Sequence, residues 1–333
     1  GETETQMAET LHFTLPQDEL HPAFNALDMA LEPGADATDE EFILHIANSL
    51  WAEKEYDFRE AFLDLLARHY GAGLRLVSFK TAPEDAREAI NEWVSDQTEE
   101  KIQDLIPKGG ITDLTRLVLA NAIYFNAKWT HTFPKENTED GAFTLVDGSE
   151  VEVPMMAWNK PQMIPHAQGA NYQAIELPYR GGGASMVIIV PDAGEFEAFE
   201  QQLSGEQLQS ILGEMETRGV ALTMPKFEYK SSFSLADTLA AMGMPDAMDR
   251  ERADFSGMDD SRRLLITDVF HKAFVAVDEE GTEAAAATAV VVGLESMPVT
   301  DVELTVDRPF VYLIRDTQTG SVLFLGRVMN PAD

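Results

Sequence analysis

The chain has 333 residues, 44% of them hydrophobic and 9% aromatic, which supplies apolar material for a folded core and excludes a disordered polymer. Against 24 Lys and Arg stand 58 Asp and Glu, and the formal net charge of -34 repels phosphate backbones and anionic lipid headgroups, so nucleic acid and membrane surfaces are poor partners. With no cysteine, there is no disulfide framework, thiolate metal site or cysteine nucleophile, and the redox compartment is left open.

The first residues, GETETQMAE, are polar and do not read as a secretory leader. No apolar run reaches the roughly 18 residues of a spanning helix. Residues 55–70 are predicted helical, with Phe58, Phe62, Leu65, Leu66 and His69 on one face and the glycines of HYGAG ending them. A second helix is predicted over Pro83–Gln97, opened by its proline, with Ile90, Trp93 and Val94 facing inward. Leu117–Phe125 is apolar on both faces and reads as a central strand, interrupted by one polar residue, Asn121. Further strands are predicted at Met186–Val190, Ala221–Tyr229 and Phe270–Val277, and DTQTG between Phe310–Ile314 and Val322–Val328 signals a hairpin. The glycines at 181–183 read as a hairpin turn and not a phosphate cradle, because no helix opens after them. PKGG (107–110) and RGGG (180–183) are too short to be linkers, and no repeat divides the sequence, which is read as one domain over 1–333. Helices dominate the first third and strands the rest, giving an α+β class with largely antiparallel sheets.

No G-x-S-x-G, H-E-x-x-H, Walker loop or dinucleotide fingerprint occurs. The seven histidines, at 12, 21, 45, 69, 131, 166 and 271, lack ligand spacing, so no metal and no cofactor is expected. The acidic excess is spread along the chain; it fits ordinary solubility through net charge and would also suit hydration in high salt.

The most unusual stretch runs from Glu279 to Leu294: acidic residues around Gly281, then small uncharged side chains in which alanine favours helix while Thr and Val favour strand. As a strand it would place Thr282, Ala284, Ala286, Thr288, Val290 and Val292 on one face and turn Glu283 to solvent. An alanine-rich helix or a plain core strand is the alternative from composition alone.

VDEEGTEAAAATAV (277–290), preceded by ITDVFHKAFV (266–275), resembles the hinge and proximal reactive loop of serpins, the loop-inserting serine protease inhibitors. DRPFVYLIRD (307–316) with VLFLGRVMNP (322–331) is similar to the serpin C-terminal signature, NAIYFNAKW (121–129) to the central strand ending at the breach tryptophan, and MPKFEY (224–229) to the strand beside the hinge. The resemblance covers the chain from residue 1, where GETETQMAE looks like the end of the second serpin helix; a prokaryotic-type member lacking the first helix and most of the second is expected. It implies the serpin fold: a large, mixed, mostly antiparallel central sheet A with sheets B and C, surrounding helices, and an exposed reactive-centre loop at about 279–300.

The implied function is suicide inhibition of serine proteases by a monomer that is not itself an enzyme, in an extracellular or periplasmic setting. Counting from Gly281 in the family's usual loop length puts the scissile bond at Glu295–Ser296, suited to glutamyl endopeptidases; a one-residue shift would put Leu294 at the bond and favour chymotrypsin-, elastase- or subtilisin-like targets. The resemblance assigns Glu279, Glu280, Gly281, Thr282, Glu283, Ala284, Ala286, Thr288, Val290 and Val292 to hinge and inserting loop. The resemblance likewise implies that Lys226 and Glu279 are the pair that closes the breach beneath Trp129, and that Asn121 and His271 belong to the shutter. A non-inhibitory serpin, acting as a binding or chaperone module, is the alternative; a Ser-His-Asp hydrolase is more distant, since no nucleophile elbow is present.

Overall fold

The computed structural model describes residues 1–31, 42–70, 74–260, 263–282 and 299–332. In chain order, α1 (Glu2–Thr10) and α2 (Gln17–Leu31) precede β1 (Phe42–Glu53), α3 (Glu60–His69), β2 (Arg75–Val77), α4 (Pro83–Gln97) and β3 (Leu117–Lys128). There follow β4 (Glu139–Thr144), β5 (Glu150–Ala157), β6 (Gln162–Gln168), β7 (Tyr172–Pro178), β8 (Ala184–Pro191), α5 (Phe196–Gln202) and α6 (Gly205–Gly213). Then come β9 (Glu216–Pro225), β10 (Phe227–Ser234), α7 (Ala236–Met242), β11 (Val269–Val277), β12 (Gly281–Thr282), β13 (Val302–Thr305), β14 (Phe310–Asp316) and β15 (Val322–Val328). The chain separates into two compact units, one of residues 1–32, 44–124 and 230–274, the other of 33–43, 125–229 and 275–333.

In the first unit β11 lies parallel to β3, in register from Val269↔Leu119 to Phe274↔Tyr124, and β1 pairs in parallel with β2. Helix α4 has the predicted bounds, with proline at its first turn and Ala86, Ile90 and Val94 buried. Trp93 is half-buried, edge-on to Trp51 at 6.0 Å and beneath the Arg75 guanidinium at 4.7 Å. The helix predicted from residue 55 starts only at Glu60, because tertiary pairing captures the residues before it: Phe58 bridges Asp259 and Arg59 N donates to Met258 O (2.9 Å). The helix-rich first third also holds the 12-residue strand β1, which the sequence reading did not assign.

The second unit contains the strand order β15-β14-β8-β7-β6-β9-β5-β4, with β13 alongside β9. The triglycine is the hairpin turn between β7 and β8, with Gly181 and Gly182 at φ 80° and 73°. All eight residues of β8 are buried, and Val187 and Ile189 share a cluster with Phe196 and Phe199 of α5, Ile211 of α6, and Val311 and Leu313 of β14. Each such side chain contributes on the order of 1.5–3 kcal/mol by leaving water. The predicted C-terminal hairpin is β14–β15, antiparallel from Phe310↔Val328. The single strand predicted over Ala221–Tyr229 breaks at Lys226: Pro225 has no N–H for a ladder, and Lys226 N turns to donate to Pro154 O (3.0 Å). Most pairings are antiparallel; β1–β2, β3–β11 and β9–β13 are parallel.

Candidate functional site

β11 ends at the buried Val277, and the next four residues, Asp278–Gly281, reverse the chain within one turn. Asp278 organises that turn. Its Oδ1 accepts from Glu280 N (2.8 Å) and Gly281 N (3.1 Å), and its own N donates to Gly281 O (2.9 Å). The returning chain forms β12, whose Thr282 lies opposite Val277 of β11 on one side and Ala127 of β3 on the other, antiparallel to both. Gly281 faces Lys128 so closely that a Cβ there would sit 2.0 Å from Ala127 O and 2.7 Å from Lys128 Cα, so only glycine fits.

The segment that follows β3 holds the outside of the turn. The Trp129 indole donates to Asp278 O (3.0 Å), Trp129 N to Glu280 O (2.8 Å) and Phe133 N to Glu279 O (2.8 Å), so three successive carbonyls of the hinge are bound. The Glu279 carboxylate, on a side chain 7% exposed, accepts from Lys226 Nζ (2.9 Å) through one oxygen and from the Thr138 hydroxyl (2.8 Å) through the other. Burial alone would raise this carboxyl, but the hydrogen bonds from Lys226 and Thr138 outweigh it and hold Glu279 below the ordinary glutamate range. Glu280 pairs with the exposed Lys135 at 2.7 Å.

Beneath the turn the packing is aromatic and dry. Trp129 stacks on Tyr179 with ring centroids 4.6 Å apart and 10° between planes, and Phe125 meets Tyr179 edge-on at 5.0 Å. The Tyr179 and Thr282 hydroxyls are 2.6 Å apart, and both residues are fully buried. Burial pushes the Tyr179 phenol far up, so it stays a neutral donor and acceptor.

Asn121 and His271 are direct partners in the β3–β11 register, with His271 Nδ1 and Asn121 Oδ1 at 2.5 Å. Asn121 Nδ2 donates to Asn48 Oδ1 (2.5 Å), so Nδ1 is the protonated nitrogen of His271, and burial lowers that imidazole toward the neutral form. The His271 ring also lies parallel to Phe233, 6.2 Å away.

The structure therefore brings together Glu279, Glu280, Gly281, Thr282, Trp129 and Lys226 in one cluster, and Asn121 with His271 in another. Glu283, Ala284, Ala286, Thr288, Val290, Val292, Leu294, Glu295 and Ser296 lie outside the described residues. Sequence reasoning missed Tyr179, Thr138, Lys135 and Asn48. Of these only Tyr179 carries a sequence signal, an aromatic side chain two positions before the triglycine.

A sequence profile described as Serpin (serine protease inhibitor) matches residues 1–331. Leukocyte elastase inhibitor A of Rattus norvegicus is 39% identical over 99% of this chain and 88% of its own length, and the Homo sapiens leukocyte elastase inhibitor is 38% identical with the same coverage. An uncharacterized serpin-like protein of Thermococcus kodakarensis is 38% identical over 100% of this chain and 76% of its own. Among solved structures, Serpin48 of the insect Tenebrio molitor superposes with a TM-score of 0.83 at 31% identity, covering 99% of this chain and 86% of that one. Uncleaved ovalbumin superposes at 0.86 and 27% identity, covering 99% and 88%. The chain belongs to the serpin family of serine protease inhibitors.

Proposed function

We propose that the chain is a suicide-substrate inhibitor of serine endopeptidases whose scissile bond is Glu295–Ser296 and whose cleaved loop enters the sheet between β3 and β11. One observation carries this reading: Gly281–Thr282 already lies between those strands, antiparallel to each. Further along the same strands β3 and β11 pair directly and in parallel, from Phe274↔Tyr124 to Val269↔Leu119. Admitting the loop exchanges this one parallel ladder for two antiparallel ladders, and antiparallel pairing is the slightly stronger geometry per residue. Serpin loop insertion is itself a standard instance of strand addition.

The protease serine Oγ adds to the Glu295 carbonyl, and the tetrahedral intermediate expels the Ser296 amine, protonated by the enzyme's histidine, to leave an ester to the enzyme. Insertion from Thr282 onward then competes with hydrolysis of that ester. The sequence is suited to winning the race: in an extended strand the positions on the face of Thr282 would be Ala284, Ala286, Thr288, Val290 and Val292, all small and uncharged. An acidic Glu295 selects proteases with a basic specificity pocket and disfavours trypsin-like pockets, whose floor is a carboxylate. A bond moved to Leu294–Glu295 would fit apolar pockets, a second reading favoured by the names of the leukocyte elastase inhibitors among the relatives.

The test is incubation with a glutamyl endopeptidase, subtilisin, elastase, chymotrypsin and trypsin, followed by denaturing gels and mass analysis of the released peptide. A covalent complex and a peptide beginning at Ser296 are expected. A peptide beginning at Glu295 moves the bond, and cleavage by every enzyme without a complex overturns the trapping mechanism.

A further inference from the structure

Tyr179 stands directly after β7, held by an isolated bridge to Trp129 and by its N–H to Ala184 O (3.1 Å). Its ring is sandwiched by contacts to Trp129 and Phe125, which fixes the direction of the C–O bond. That bond ends on the Thr282 hydroxyl, and among the described residues neither hydroxyl has another hydrogen-bond partner. Thr282 is the first side chain of the loop face that would enter the sheet, so the two groups meet where insertion begins.

Building on the loop-insertion reading above, we infer that Tyr179 is the positioning residue from which the loop enters: its buried hydroxyl pairs with Thr282 and thereby holds the hinge seated in the sheet, so that insertion starts from a formed first rung. The physical basis is the asymmetry of buried hydrogen bonds. With both hydroxyls present the pair is satisfied; with one removed, the other is left unpaired in an aromatic enclosure that excludes water; with both removed, nothing polar remains unpaired. A hinge that leaves its seat more often starts insertion later and gives water longer to hydrolyse the acyl-enzyme, so more inhibitor is consumed for each protease trapped. The pair thus selects for a hydroxyl at position 282, beyond the smallness and neutrality that the loop sequence shows.

The experiment measures moles of protein consumed per mole of protease covalently trapped, with the enzyme of the panel that the unmodified protein traps best, and records thermal midpoints in parallel. Tyr179→Phe keeps the stacking and removes only the hydroxyl; Thr282→Val is its counterpart, and Thr282→Ser keeps the hydroxyl. Tyr179→Phe and Thr282→Val are each expected to raise consumption roughly five- to tenfold, Thr282→Ser to match the parent, and the double variant Tyr179→Phe/Thr282→Val to return within about twofold of it. Should Tyr179→Phe not fold, the contrast between Thr282→Val and Thr282→Ser reads the same pairing from the loop side. Equal consumption by Thr282→Val and Thr282→Ser, a Tyr179→Phe protein that loses thermal stability without consuming more, or a double variant worse than either single one overturns the role of Tyr179. A parent protein that traps no enzyme removes the loop-insertion reading itself, and the inference with it.

Discussion

The hinge cluster and the Asn48–Asn121–His271 chain are both sets of polar side chains placed among strands, and they differ in their access to water. Trp129, Tyr179 and Thr282 are at most 1% exposed, and the Glu279 carboxylate is nearly so. Asn121 and His271 are half-buried and Asn48 is exposed, near such open apolar neighbours as Leu119, 39% exposed, on the same strand. Where water is excluded, a lost partner strands the group left behind at a cost of about 1–3 kcal/mol; where water enters, it takes the lost partner's place and the cost shrinks toward the net value of a hydrogen bond. Identical chemistry therefore makes one cluster an exacting seat and the other a tolerant one.

The harshest way to break this contrast is Thr282→Arg. A guanidinium buried unpaired against the Tyr179 hydroxyl costs several kcal/mol, so the hinge does not seat. The protein is expected to be cleaved as a substrate with at least tenfold less covalent complex on a denaturing gel; complex at the parent level would show that the seat is not dry. An intermediate effect is expected of Glu279→Gln, which removes the charge partner of Lys226, itself 37% exposed and partly screened, at a cost near 1 kcal/mol. Polymerisation on mild heating should rise several-fold. Because the Glu279 carboxyl titrates below its ordinary range, its contribution is complete above that range and is lost as pH falls through the depressed value. The parent should therefore polymerise faster on acidification while Glu279→Gln changes less, and matching pH profiles for the two would remove Glu279 from the clasp. The smallest effect is expected from Asn121→Ala, which deletes two hydrogen bonds that water replaces; a fall of about 1–4 °C in thermal midpoint corresponds to roughly 1 kcal/mol in a chain of this size. A fall above 10 °C would make the two clusters alike.

What was legible in the sequence was whatever local chemistry decides. Pro83 opens α4 because the N–H that proline lacks is not needed in a first helical turn, and of the predicted inward residues Ile90, Trp93 and Val94 the first and last are buried and Trp93 half-buried. Gly281 and the small residues after it advertised a hinge. What stayed hidden depends on partners distant in the chain. The backbone from Tyr56 to Arg59 leaves its helical pattern because Phe58 and Arg59 find Asp259 and Met258 some 200 residues later, and the Tyr56 hydroxyl bonds the Asp259 carboxylate. Pro225 looked continuous with Phe227 because alternation alone does not reveal that the two strands join different sheets. Tyr179 acquires its meaning only when the bridge to Trp129 carries it under Thr282, 103 positions away.

Trp129 has a consequence for how this molecule is watched. It is one of four tryptophans, is 1% exposed, stacks on a phenol, and has its indole proton committed to Asp278 O. Of the other three, Trp51 and Trp93 sit together under Arg75, and Trp158 lies flat on Phe133. When the turn at Asp278 withdraws, only Trp129 loses its carbonyl and meets water, and its emission moves to longer wavelength. The hinge thus carries its own fluorophore, and its comings and goings are visible as a colour change in an unlabelled protein.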